Sequence, residues 1–290
     1  MIPPLSCTVR ACGEPLTRQG RTYVCPRGHT FDVARRGYVT LLQPQDRKSR
    51  EPGDARVAVE ARAALLAAGV GRALVDEVVR QVATMGLPPG AVVVDLGSGA
   101  GDALGAIAGA QPVTGIGIDL SAAAIEHAAR RFPDLTWVVA NADRRLPIVD
   151  GSVDVVISLH GRRNPAECAR VLKPGGFLVV ALPAPDDLVE LRELVQGARV
   201  ERDRTDAVLA EHAPHFALRG RSTAREWHRL ERDNLLRLLQ STYRGARSSA
   251  AARIEALDTL EVTQASDVCV LQSRVTAPPA APPRGRSRTP

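Results

Sequence analysis

Val92-Val93-Val94-Asp95-Leu96-Gly97-Ser98-Gly99-Ala100-Gly101 is the stretch that decides the fold of this 290-residue chain. Its three valines form the apolar, β-branched run that a buried parallel strand needs. A glycine at every second position after Leu96 makes a tight turn whose backbone N–H groups can approach a ligand closely. Asp102 to Ala110 opens a helix. A second strand, Val113 to Ile118, then ends in Asp119, about twenty residues past the turn, where an acid can accept both hydroxyls of a ribose.

Dinucleotide binding and S-adenosylmethionine binding share this layout, and a bare structural turn is the third possibility. The spacing here is G-x-G-x-G rather than the G-x-G-x-x-G of dinucleotide sites. Asp95, just ahead of the first glycine, would repel a pyrophosphate and attract a methionine ammonium. S-adenosylmethionine is therefore the expected cofactor. Asp95 and Gly97 would face its methionine part, Gly99 and Gly101 would keep the turn close, and Asp119 would take the ribose. Asn141, Ala142 and Asp143, after a third strand at Leu135 to Ala140, would meet the adenine.

Further strands are expected at Val153 to Leu159 and Phe177 to Leu182, with a short helix at Ala166 to Leu172 and a turn at Lys173-Pro174-Gly175-Gly176. Leu257 to Gln272 alternates apolar and polar residues around Ser266-Asp267 and is expected to close the sheet as a two-stranded hairpin. The sum is an α/β fold with a doubly wound, seven-stranded parallel sheet, its ligand at the carboxyl ends of the strands. Helices over about 55–68 and 71–85 are expected to lead into the first strand and cover the mouth of the site.

Cys7, Cys12, Cys25 and His29 are spaced C-x4-C-x12-C-x3-H. Three thiolates and an imidazole suit tetrahedral zinc, and a full set of four ligands makes the ion structural. Free thiols or a disulfide are the alternatives, and a cytosolic setting disfavours the disulfide. Cys168 and Cys269 stand alone in apolar context as core residues.

The formal net charge is +6, and Lys48 and Lys173 are the only lysines. Residues 1–56 hold ten Arg or Lys against five acids, a balance that suits a nucleic-acid partner without proving one. The cluster Arg47, Lys48 and Arg50 suits phosphates and a solvated linker equally. No apolar run is long enough to span a bilayer, and no leader-like segment opens the chain, so a cytoplasmic protein without membrane contact is expected. Residues 273–290 are rich in Pro and Arg, lack acids and are expected to be a disordered tail.

With these residues in place the chain resembles the RlmA-type 23S rRNA (guanine-N1)-methyltransferases, including the resistance enzymes of macrolide-producing actinomycetes. Three features in order carry the resemblance: the zinc module ending Tyr23-Val24-Cys25-Pro26-Arg27-Gly28-His29-Thr30-Phe31-Asp32; Gly37-Tyr38-Val39 followed by Lys48-Ser49-Arg50-Glu51-Pro52-Gly53-Asp54 and Ala61-Arg62; and the domain from Val94. The middle block is the most specific of the three. The resemblance implies methyl transfer to N1 of one guanine in a 23S rRNA hairpin, by a homodimer whose zinc modules flank an RNA-binding cleft. It divides the chain into a zinc-binding RNA-recognition module (1–45), a linker with helices (46–90), a methyltransferase domain (91–272) carrying a cap or insertion at 198–253, and the tail. In that cap His212, His215, Trp227, His228 and Tyr243 are candidates to face RNA, with Trp227 and Tyr243 able to stack bases.

Two departures stand out. The first zinc knuckle is C-x4-C where the family has C-x2-C. The loop after the fourth strand is His160-Gly161-Arg162-Arg163 where relatives carry a Tyr-Ala-Pro-like segment. That loop faces the target base in this fold, so His160 is the candidate catalytic residue beside the acceptor. Two other functions fit parts of the chain: methylation of a small molecule such as a quinone or natural product, and a catalytically idle RNA-binding module.

Overall fold

The computed structural model describes residues 2–46, 53–196, 203–241, 254 and 257–274. The strand expected from Val92–Val94 is β5 (Ala91–Leu96), with all six residues buried. Around it lie β6 (Val113–Asp119), β7 (Thr136–Val139), β8 (Val153–Leu159) and β9 (Leu172–Pro183), each parallel to its neighbour. The intervening helices are α3 (Asp102–Ala110), α4 (Ala122–Arg131) and α5 (Pro165–Val171). Local chemistry starts two of them: the Ser121 hydroxyl accepts from Ala124 N at the head of α4, and Asn164 with Pro165 opens α5.

Sheet order reverses at β5: β6 and β7 lie to one side, β8 and β9 to the other. Such a switch point leaves a crevice at the carboxyl ends of the strands, which is where doubly wound sheets bind ligands.

Four further strands lie upstream: β1 (Thr17–Gln19), β2 (Thr22–Val24) and β3 (Thr30–Asp32) form a separate small sheet, with Cys7 and Cys12 ahead of β1 and Cys25 and His29 between β2 and β3, and β4 (Tyr38–Thr40) joins the large sheet at its edge, parallel to β7. The large sheet therefore has eight strands, one more than expected. The extra strand comes from the amino-terminal module, in which Tyr38-Val39-Thr40 is too short to announce itself by periodicity. Leu5 bridges Ile148, and Ser6 N and Val149 N exchange hydrogen bonds with Pro147 O and Pro4 O at 2.9 Å each. Leu5, Cys7, Leu16, Tyr23 and Cys25 belong to the same apolar cluster as Val92, Val94, Ile148 and Val153. The module is fused to the core rather than tethered to it.

After β9 come α6 (Val189–Gln196), α7 (Thr205–His212), β10 (Phe216–Glu231), α8 (Arg232–Ser241) and β11 (Thr259–Ser273). The expected closing hairpin within 257–272 does not form: that segment is the single strand β11. Its antiparallel partner β10 lies inside the span read as a cap, 198–253. Asp267 misled the reading. It sits mid-strand and is buried, which is tolerated because Arg221 Nη2, Thr223 Oγ1 and Thr205 Oγ1 donate to it at 2.9, 2.6 and 3.3 Å. β10 is the sheet edge, so its outer positions can be arginine without disturbing the core.

Lys173 to Gly176, expected as a turn, form a bulge in β9: pairing with β8 jumps from Val153–Leu172 to Val155–Phe177. The two early helices are α1 (Arg56–Ala67) and α2 (Arg72–Ala83). α1 lies beside α4 and α8, near the carboxyl ends of the strands, whereas α2 packs on α3, β10 and β11 and does not cover the mouth.

Candidate functional site

The three alternating glycines all take positive φ: 75° at Gly97, 53° at Gly99 and 82° at Gly101. That conformation is costly for any residue with a Cβ, which is why the motif needs glycine. Gly97 N and Ser98 N both donate to Ile118 O, at 2.8 and 3.1 Å, stitching the turn to the end of β6. Trp137, buried in β7, fills the space where side chains at Gly101 and Gly117 would stand.

Asp119 closes this arrangement. Gly99 N donates to its Oδ2 at 2.9 Å and Ser121 N to its Oδ1 at 2.7 Å. Burial raises its pKa, and these two backbone donors pull the other way. Asp95 is 2% exposed and receives no hydrogen bond from any described residue. Burial pushes its carboxyl up to about 8, with the charges of Asp119 and Asp102 adding to the effect. An uncompensated buried carboxylate is expensive, and a cation placed against it relieves the cost. A methionine ammonium supplies that cation, so the residues present fit S-adenosylmethionine. Asp102, at the head of α3, is already paired with Arg131 at 2.5 Å.

Beyond β7 the chain continues the sheet, with Ala140 N donating to Asp119 O at 3.0 Å. Asn141 then turns the backbone, its Oδ1 accepting from Asp143 N at 2.9 Å. Ala142 packs at the rim of the apolar core, and Arg162 Nη1 reaches Asp143 Oδ2 at 3.3 Å. This wall and the Asp119 carboxylate flank the turn from the β6–β7 side.

The other wall is the loop after β8. His160 holds a left-handed φ of 53°, a strained setting for a residue with a side chain. Its N–H donates to Ala181 O at 3.0 Å and its Nε2 lies 2.9 Å from Ser266 Oγ. The residue as a whole is exposed, yet protein atoms crowd its ring, and this desolvation, with the charge of Arg62, lowers its pKa to about 4. Gly161 follows because a Cβ there would stand 3.0 Å from Leu96 O and 3.8 Å from Gly97 Cα. Arg163 anchors the loop: its Nη1 donates to Gly161 O at 3.1 Å and its Nε to His212 Nε2 at 3.2 Å. His212 is buried and its Nδ1 lies 2.7 Å from Val208 O, which assigns the proton to Nδ1.

Two participants belong to the middle block of the family resemblance, yet sequence reasoning gives them no part in the site. Asp54 O accepts from Ser121 Oγ at 2.7 Å, and Gly53 approaches so closely that a Cβ would lie 2.5 Å from Ser121 N. Arg62, on α1, bonds Asp54 Oδ2 at 3.0 Å and Ser241 O at 2.9 Å. Only the fold brings them to the glycine turn. Arg47, Lys48, Arg50 and Tyr243 lie outside the described residues. Of the remaining RNA candidates, Trp227 is 70% exposed on β10, while His228 sits against Glu226 at 3.1 Å and His215 against the ring of Phe216.

Cys7, Cys12, Cys25 and His29 converge, with all four ligand atoms within 4.8 Å of one another. Cys12 Sγ and Cys25 Sγ are 3.8 Å apart, and His29 Nδ1 lies 3.5 and 3.3 Å from the sulfurs of Cys7 and Cys25. A tetrahedral ion with Zn–S of about 2.3 Å requires sulfur–sulfur edges of about 3.8 Å, so the set fits zinc and leaves no open position. The longer first knuckle is absorbed by left-handed backbone at Ala11 and Gly13. Burial pushes the Cys7 thiol up to about 12; at Cys25 burial acts the same way, but donors from His29, Arg27 and Cys12 prevail and hold it at about 7. Cys168 and Cys269 are buried far from this cluster in sequence and belong to the core.

Fold, glycine turn and paired acids define an S-adenosylmethionine-dependent methyltransferase carrying a structural zinc site. Comparison with known proteins agrees: residues 93–176 match a methyltransferase domain and residues 6–50 match the family described as RlmA, N-terminal. A 23S rRNA (guanine(748)-N(1))-methyltransferase of Streptomyces fradiae is 38% identical over 79% of this chain and 81% of its own. A putative 23S rRNA (guanine-N(1)-)-methyltransferase of Micromonospora griseorubida is 35% identical over 82% of this chain and 85% of its own. The chain belongs to the 23S rRNA (guanine-N1)-methyltransferase family. Among solved structures, the methyltransferase bound to the Trm112 activator of Haloferax volcanii shares the fold, with a TM-score of 0.51 at 20% identity over 78% of this chain and 100% of that one.

Proposed function

We propose that this protein transfers a methyl group from S-adenosylmethionine to N1 of a single guanine in a hairpin loop of 23S rRNA. The observation that supports this best is the four-ligand zinc cluster fused through one apolar core to a methyltransferase sheet, in a chain of this family. A small-molecule methyltransferase has no need of a basic zinc module.

When bound, S-adenosylmethionine supplies an electrophilic methyl group on a sulfonium, for in-line displacement. In this reading Asp95 and Gly97 hold the methionine end, Asp119 takes the ribose hydroxyls, and Asn141 to Asp143 border the adenine. His160 borders the acceptor. With its pKa lowered to about 4 it is neutral at physiological pH, able to orient a guanine edge by hydrogen bonding but too weak a base to keep the N1 proton, which passes to solvent. The target guanine must be unstacked or already looped out. The reading extends to a cytoplasmic homodimer whose two zinc modules border the RNA, and to reduced macrolide susceptibility of ribosomes so modified. No described helix is long and apolar enough to cross a membrane.

The test is methyl transfer from labelled S-adenosylmethionine to protein-free large-subunit rRNA, with the product mapped by primer extension. Methylation at N1 blocks the Watson–Crick edge, so one new stop at a hairpin guanine is expected. Cofactor binding without incorporation into rRNA would redirect the search to small-molecule acceptors.

A further inference from the structure

We infer that Arg62 is the cofactor's carboxylate ligand: its guanidinium, held over the glycine turn by Asp54 and Ser241, binds the methionyl carboxylate of S-adenosylmethionine. The inference rests on the S-adenosylmethionine reading of the crevice and adds to it a residue from α1, outside the methyltransferase domain match.

The turn is surrounded by acids. The charges of Asp119 and Asp102 act on Asp95, and that of Asp54 acts on Asp119. A methionine end is a zwitterion. Asp95 answers its ammonium, but a carboxylate brought into this field is repelled unless a cation meets it. Arg131 is spent on Asp102, with further contacts to Ala100 O and the ring of Phe132. Arg62 is the cation that both Asp119 and His160 feel. Its Nη1 lies 3.9 Å from the point where a side chain on Gly99 would begin, which is open space in front of the turn.

The guanidinium is aimed rather than free. Nη1 donates to Asp54 Oδ2 at 3.0 Å and Nη2 to Ser241 O at 2.9 Å. Arginine has five N–H donors, so these two bonds leave three for a ligand. The Asp54 end is itself fixed, since Asp54 O accepts from Ser121 Oγ at 2.7 Å beside the ribose acid. The ion pair with Asp54 is half exposed on both sides, so it orients the side chain without neutralising it strongly. Ribose at Asp119, ammonium at Asp95 and carboxylate at Arg62 then meet three groups around one turn.

The experiment is calorimetric titration of two ligands, S-adenosylhomocysteine and its decarboxylated analogue 5′-(3-aminopropylthio)adenosine, into the full-length wild type and Arg62→Gln. A charge-assisted pair of this kind contributes about 10- to 100-fold in affinity. Wild type is expected to prefer S-adenosylhomocysteine by that factor, and Arg62→Gln to bind both ligands equally, with the analogue's affinity unchanged. If wild type binds the two equally, or if the substitution weakens both by the same factor, Arg62 is not the carboxylate ligand. If wild type binds neither, the S-adenosylmethionine reading itself fails. Arg62→Lys serves where the glutamine variant lacks a cooperative melt: it is expected to keep part of the wild-type preference, and its complete loss of analogue binding would overturn the inference.

Discussion

Asp95→Asn tests the logic of the cofactor crevice because it should separate stability from binding. Burial holds this carboxyl at about 8 against an ordinary 3.8. A group whose folded pKa lies above its unfolded one stabilises the protein at low pH, and that stability is lost as pH rises from about 4 through about 8. At about 1.4 kcal/mol per unit, the roughly three units spanned by pH 7 come to about 4 kcal/mol, to order of magnitude. Asparagine keeps the shape and carries no charge. Ligand-free Asp95→Asn is therefore expected to be level with wild type at about pH 4 and below, and more stable near pH 8, by on the order of 10 °C in Tm for a chain of this size. S-adenosylhomocysteine should then raise the Tm of wild type but not of the variant. Its affinity for wild type should climb by up to tenfold per pH unit below about 8, because the ammonium requires the ionised carboxylate, while 5′-methylthioadenosine, which has no amino-acid part, should show no such climb. Differential scanning fluorimetry across pH, with and without ligand, reads all of this. Parallel Tm–pH curves for the two proteins would refute the assignment of a buried, uncompensated charge at Asp95.

Three other outcomes are expected. Asp119→Ala should weaken S-adenosylhomocysteine and 5′-methylthioadenosine alike by at least tenfold in titration calorimetry, because it removes both the ribose acceptor and the partner of Gly99 N and Ser121 N. Cys7→Ser, or zinc removal by a chelator, should lower the main unfolding transition of the whole chain in calorimetry, since Cys7 and Cys25 share one apolar cluster with β5; a separate low-temperature transition with the main peak unmoved would contradict that fusion. His160→Ala should leave cofactor affinity within about threefold and lower kcat for rRNA by about tenfold or more, whereas a loss in cofactor affinity alone would place His160 on the donor side.

The doubly wound core, the cofactor class and the zinc ligands were legible because each rests on local chemistry. An apolar run ending in alternating glycines constrains its own backbone, and four soft ligands at short spacings constrain one another. Periodicity failed where burial was decided at long range. β10 is dense in arginine along an edge, and Asp267 stands inside β11 because three donors from distant segments reach it. The strand β4 is three residues long and exists through its pairing with Trp137–Val139.

The site divides in the same way. By itself the sequence singled out the candidate groups: Asp95, the glycines and Asp119, which the fold brings to one turn, and the thiolates with His29, which converge, all chemistries that need particular residue types at particular spacings. Only the tertiary structure decided what surrounds them. It set Arg62, on α1, and Asp54, just ahead of that helix, beside the glycine turn, and it placed protein atoms and the Arg62 charge around His160, which lower its pKa. It also welded the zinc module to the sheet through Leu5 and Ile148. The reason is physical: backbone conformation and ligand spacing are fixed by near neighbours in sequence, whereas desolvation, Coulomb fields and packing depend on every atom nearby, whatever its place in the chain.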